Sequence, residues 1–173
     1  MEYKQLDELL NLIDEPNRGL CKKLLHENQA RLEAAPGSLI KHHAWPKGYI
    51  HHLEETMNLA EALFKPMNDF RKLDFSLSDA ILVLFLHDLE KPFRYIEPKQ
   101  EFLNDEEKKK FIDTMVEKYG LVLTESHHNA LKYTHGEGDS FSRTERIQKP
   151  LAAFVHICDT TSARIWFDYP HFI

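Results

Sequence analysis

Eleven of the 173 residues are histidine, and six of them stand in adjacent pairs: His42-His43, His51-His52 and His127-His128. Neutral imidazole is the commonest protein metal ligand, so the pattern raises the question of a metal site. Two acidic residues sharpen it. His87 and Asp88 directly follow the run Ala80-Ile81-Leu82-Val83-Leu84-Phe85-Leu86, and Asp159 directly follows Leu151-Ala152-Ala153-Phe154-Val155-His156-Ile157-Cys158. A carboxylate beside such apolar runs is costly unless a cation or hydrogen-bond donors meet it. Read singly, Asp88 caps a neighbouring helix and Asp159 pairs with Arg164 or Lys132. Read together, His52, His87, Asp88 and Asp159 form a donor set for one divalent ion, with positions left for water or substrate. Two imidazoles and two carboxylates suit Mn, Fe, Co, Ni or Zn better than Ca or Mg.

The elements that must position these groups read as helices. Apolar and polar residues nowhere alternate for long, so strand signals are scarce. The expected architecture is all-α, one domain of about seven helices over residues 1–173, with a core over about 42–165. Two packing helices precede it within residues 1–36, at about Tyr3–Ile13 and Leu20–Ala35. A loop over His42–Gly48 feeds a third helix, about Tyr49–Phe64. There Ile50, Leu53, Met57, Ala60, Leu63 and Phe64 make one apolar stripe. His52 falls on its flank, roughly 90° from the centre, and His51 nearly opposite, toward solvent. The fourth helix, Ala80–Leu86, is apolar all round and belongs at the centre; Pro92 limits its continuation. A fifth runs from Asp105 to near Gly120. A sixth covers about Thr124–His135, with Gly136 as its stop. Pro150 opens a seventh, about Leu151–Phe167. The site is expected between the third, fourth, sixth and seventh of these.

Composition narrows the function classes. A formal charge of −6 argues against binding duplex nucleic acid through a broad basic face, although a phosphorylated small molecule is compatible with local positive charge. No apolar run approaches the roughly 20 residues of a membrane span. The opening residues lack a secretory signal pattern, and two distant cysteines, Cys21 and Cys158, make no disulfide framework. A cytoplasmic setting is the expectation.

The order His52, His87-Asp88, Asp159 resembles the HD-domain superfamily of metal-dependent phosphohydrolases. The segments His42–His52, Leu84–Pro92 and Cys158–Arg164 are similar to that family's first-histidine region, His-Asp doublet with following lysine, and final aspartate helix. The resemblance implies hydrolysis of a phosphate ester or anhydride, with a nucleotide or other small phosphorylated molecule as substrate. The metal set would be His52, His87, Asp88 and Asp159, with Asp88 central to catalysis. Lys91 would contact substrate phosphate; Arg94, Lys47 and Lys132 are weaker candidates of the same sort. Two positions depart from the family pattern: Leu53 follows the first ligand where Ser or Thr is common, and Glu90 stands where glycine is common. Glu90 reads as a helix-surface substitution in preference to a general base.

Some members of the family bind a second metal through extra histidines, here supplied by His127, His128 and His135. Seven residues apart on an unbroken helix, His128 and His135 share a face but lie about 10.5 Å apart along its axis. They would then approach opposite ends of a two-metal site. Alternatively, His135 sits in a bend over Tyr133–Gly136 and acts at the edge of the substrate. His128 is preferred to His127 because it shares a stripe with Leu131 and His135, and His156 reads as supporting a ligand or as core. Rival readings are an HD-type di-iron oxygenase, a non-catalytic nucleotide-binding sensor, and a helical interaction module with its charges paired internally.

Overall fold

Caps and apolar runs set the helices. The computed structural model describes residues 2–166 and 168. Among them lie eight α-helices: α1 (Leu6–Leu10), α2 (Asn17–Ala34), α3 (Gly48–Phe70), α4 (Leu77–Leu86), α5 (Glu90–Tyr95), α6 (Asp105–Tyr119), α7 (Glu125–Tyr133) and α8 (Pro150–Ile165), with a 3-10 turn at Gly138–Ser140. The all-α bundle is as expected, with α5 the addition to the expected seven. Pro92 falls in the first turn of this short helix, where a missing N–H costs nothing.

Other boundaries moved for local reasons. The first helix is much shorter than its apolar spacing suggested. Lys4 is tied to α3 through its backbone N–H and carbonyl, both bonded to the Asn58 side chain at 2.9 Å. The helix therefore begins only after Gln5, whose side chain and that of Glu8 cap each other's backbone. In the other direction, α3 runs six residues past Phe64, through Pro66, which lies on an exposed part of the helix. Phe167, expected at the end of the last helix, lies outside the described residues.

At the centre, Ser76 and Asp79 form a reciprocal cap that starts α4, and all seven residues Ala80–Leu86 are buried. α3 and α8 pack against each other and against α4, while α7 packs on α8 and α4. The buried faces, including Leu53, Met57, Phe85, Leu151 and Val155, belong to one continuous core. Full burial of a leucine- or phenylalanine-sized side chain is worth roughly 1.5–3 kcal/mol. Rigid positions at these helix ends follow from that packing.

The loop before α3 is held by an unusually close approach. The carbonyl of His43 accepts from the Gly37 N–H at 2.8 Å, and a Cβ built at Gly48 would meet that carbonyl oxygen at 1.9 Å. Only glycine fits there. His43 itself takes φ +50° and Lys47 φ +67°, left-handed conformations that cost a non-glycine residue about 1–3 kcal/mol.

Candidate metal centre

Four side chains from three places in the chain meet where α3, α4 and α8 converge. His52 comes from the first turns of α3, His87 caps the C-terminus of α4, Asp88 follows it, and Asp159 lies in the middle of α8. All four are buried. His52 Nε2 stands 3.2 Å from Asp159 Oδ1 and 3.6 Å from Asp88 Oδ2. His87 Nε2 stands 3.2 Å from Asp88 Oδ2 and 3.7 Å from Asp159 Oδ1. Ligand atoms about 2.0–2.2 Å from a shared transition-metal ion are roughly 3–3.6 Å from one another. The observed ring of distances has that scale.

The hydrogen-bonding state of the two imidazoles decides what the ring is for. His87 Nδ1 lies 2.7 Å from the Leu84 carbonyl oxygen, which can only accept, so Nδ1 carries a hydrogen. His52 Nδ1 lies 3.0 Å from Ser162 Oγ, and that hydroxyl donates its own hydrogen to Glu55 Oε2 at 2.8 Å. His52 Nδ1 must therefore donate as well. In both neutral rings Nε2 is then a bare lone pair, and both Nε2 atoms are buried without a hydrogen-bond partner, as is Asp88 Oδ1. Bare lone pairs facing carboxylate oxygens repel unless something positive lies between them. His/Asp groups here could hold a metal ion: His52, His87 and Asp159 form one, all buried, and the buried His87 and Asp88 form another with the exposed His135.

Without a cation, the charge is settled by neighbours. Lys91 Nζ bonds Asp88 Oδ2; burial opposes the ammonium, but Asp88 more than offsets this and raises its pKa. Burial, aided by the charges of Lys91 and His87, pushes His52 down to about 3 against the pull of Asp159 and Asp88. Burial also pulls on His87, yet Asp88 and Asp159 outweigh it and hold that ring up at about 10. One proton is thus shared out to one of two imidazoles. Burial disfavours both carboxylates, but His87 and Lys91 hold Asp88 well below the usual range, and His52 and His87 do the same for Asp159. With His87 protonated, that ring and Lys91 balance the two buried carboxylates, and a divalent ion would take over the charge that the His87 proton supplies.

Above this floor opens a cleft of about 800 Å³, whose wall includes Lys41, His42, Lys91, His135, Asp159 and Arg164. Positive charge gathers here in a chain that is negative overall. His135 is reached by the bend and not by an unbroken helix: α7 ends at Tyr133, and Gly136 takes φ +96°. Its ring stands 3.5 Å from Asp88 Oδ1 and 3.8 Å from Asp159 Oδ2, the oxygens turned away from His52. His156 supports the bend, its Nδ1 donating to the Thr134 carbonyl at 2.6 Å.

Three expected site residues are placed differently. His128 is exposed and belongs to no metal-holding group among the described residues. The buried face of α7 carries His127, Ala130 and Tyr133 instead, so the stripe was drawn one residue out of register. Arg94 is exposed, lies over the Tyr95 ring and does not line the cleft. Glu90 is neither on the surface nor in the cleft wall. It is 7% exposed, with Oε2 unpartnered, and burial followed by the Asp88 charge raises its pKa. Conversely, Lys41, His42 and Arg164 were not expected in the cleft. The available signal for Arg164 was only its place on the same helix as Asp159, five residues further on. Both described cysteines are buried, with thiols pushed up to about 12 by burial, which removes them as nucleophiles.

Comparison with protein-family models, with curated proteins and with solved structures gives no significant match. Among the described residues, no helix is long and apolar enough to cross a membrane.

Proposed function

We propose that the chain is a metal-dependent phosphohydrolase of the HD type, acting on a nucleotide or other small phosphorylated molecule. The observation that carries this reading is the floor of the cleft: two buried imidazole nitrogens without a hydrogen-bond partner, facing two buried carboxylates. His52, His87, Asp88 and Asp159 would hold the ion, drawn from Mn, Fe, Co, Ni or Zn. Such an ion, when bound, supplies an acidified water and charge neutralisation for a phosphoryl group.

The chain's own residues do the rest. Lys41 and Arg164 both line the cleft and pair with phosphate oxygens, Arg164 through a fork of donors. Lys91, anchored on Asp88, extends positive charge from the floor. His135 is 62% exposed at the mouth, and Asp88 raises its pKa. It therefore presents an Nε2–H that can protonate a leaving oxygen. Glu90 has no route to substrate and is given no catalytic step.

In a two-ion form of this reading His135 Nε2 would be a ligand in place of a proton donor, since Asp88 and Asp159 each turn one oxygen to the buried histidines and the other to His135. A di-iron oxygenase would need a fuller second ligand set than His135 provides, since His128 stands elsewhere. The experiment is a phosphate-release screen over nucleotides and phosphodiesters with each of the five metals, alongside metal analysis and oxygen uptake. Release with retained metal is the expected result. Oxygen consumption with iron would favour the oxygenase, tight nucleotide binding without turnover the sensor, and no retained metal the interaction module.

A further inference from the structure

One carboxylate oxygen outside the donor set touches two branches of the histidine cluster. Glu55 Oε2 accepts from Ser162 Oγ at 2.8 Å and lies 3.0 Å from His43 Nε2. Ser162 Oγ, its hydrogen committed to Glu55, accepts from His52 Nδ1 at 3.0 Å. On the other branch, His43 is fully buried and its Nδ1 lies 3.2 Å from His42 Nδ1. We infer that Glu55 and Ser162 are positioning residues, a relay that fixes the tautomers of His52, His43 and His42 and so presents the His52 Nε2 lone pair to a cation. The inference rests on the metal reading of the site above.

The logic is a count of hydrogens. A carboxylate oxygen only accepts, so both of its partners must donate. Ser162 therefore gives its hydroxyl hydrogen to Glu55, and His52 must give its Nδ1–H to Ser162. His43 must give its Nε2–H to Glu55, which leaves its Nδ1 as an acceptor, and His42 donates to it from Nδ1–H. One acidic group thereby sets three rings: Nδ1–H on His52, Nε2–H on His43, and Nδ1–H on His42 in the cleft wall. Outer hydrogen bonds of this kind orient metal-binding histidines and raise their basicity. His43 makes this contact from a left-handed backbone conformation, φ +50°, beside the Gly48 backbone.

The helix spacing supports a designed relay over a chance contact. Glu55 lies three residues after His52 on α3, and Ser162 lies three after Asp159 on α8, so each helix carries one donor-set residue and one relay residue on the same face. The bond between Ser162 and Glu55 joins the two helices next to His52.

The test uses the full chain labelled with nitrogen-15 at histidine, with ring tautomers read by NMR in the metal-free protein and Co(II) affinity read by chelator competition. The wild type should show His52 as the Nδ1–H form. Ser162→Ala should give a tautomer mixture at His52 and weaken Co(II) binding about 10- to 100-fold, and Ser162→Thr, which keeps the hydroxyl, should restore both. Glu55→Ala should disturb His52, His43 and His42 together. Finding His52 as Nε2–H in the wild type, or unchanged tautomer and affinity in Ser162→Ala, would overturn the relay. Should Ser162→Ala fail to fold by circular dichroism, the wild-type tautomer and Ser162→Thr still decide. A wild type that takes up no Co(II), but whose His52 tautomer shifts in Ser162→Ala, would remove the metal reading and leave the relay in place.

Discussion

Two histidine–aspartate contacts in this molecule use the same chemistry to different ends. At the start of α7, His127 is complete: Nδ1 accepts from the Thr124 N–H at 3.0 Å, and Nε2 donates to Asp79 Oδ1 at 2.9 Å. Asp79 is also engaged, capping α4 through Ser76. Both ring nitrogens and the carboxylate are satisfied by protein groups, and the result is a clasp between two helix N-termini. At the convergence of α3, α4 and α8, each ring has a fixed protein partner only at Nδ1, and Nε2 is left facing carboxylates, open to a cation: a proton on His87 in the metal-free protein, or a metal ion. The difference between a structural and a functional histidine here is the state of the second nitrogen. Burial does not separate them, since His127 and His87 are both 4% exposed.

The largest effect expected from this contrast is on metal retention. Asp88→Asn keeps the shape and an acceptor for Lys91 but removes the charge; retained Mn, Co or Zn should fall at least about 100-fold, or about 2.7 kcal/mol, while His127→Ala retains metal as the wild type does. Metal analysis after dialysis reads both. Equal loss in the two variants would erase the distinction drawn here.

Next in size is a pH dependence. The folded, metal-free His87 holds its proton up to about 10, above the ordinary 6.5 of an unfolded imidazole. Its contribution to stability is therefore fully present below pH 6.5 and is lost as pH rises through 10. An ion must displace that proton, so apparent affinity should rise by about tenfold per pH unit between roughly 7 and 10, with one proton released per ion bound. Calorimetry in buffers of different ionisation heat counts the proton. An affinity flat over that range would show that His87 does not take part.

The smallest effect falls on the clasp. His127→Ala leaves the Thr124 N–H and Asp79 without their partner and should lower unfolding stability by about 1–3 kcal/mol, seen as a lower urea midpoint. His128→Ala, on the exposed side of the same helix, should leave the midpoint unchanged. A reversed order would put the buried stripe of α7 back on His128.

Much of this was legible in the chain alone, where a periodic pattern or an unbroken run existed. The flank position of His52 followed from the apolar stripe of α3, and the burial of His87, Asp88 and Asp159 from the apolar runs beside them. What escaped had no such carrier. The start of α1 is set by Lys4 and Asn58, 54 residues apart, and no local spacing reports that. His128 was preferred because seven-residue spacing assumed that α7 continues to His135, and the turn at Thr134 breaks the assumption. Glu90 was read as surface because charge usually means solvent, whereas a short helix after Leu89 turns it inward. The relay had a faint signal in the three-residue spacing of His52 with Glu55 and of Asp159 with Ser162, but the link between them spans 107 residues.

The absence of a side chain at Gly48 has a last consequence. With the His43 oxygen lying where a methyl group would go, any side chain at residue 48 would push the segment bearing His42 and His43 off the start of α3. The shape of the cleft on its His42 side thus depends on a residue that never touches the ligands.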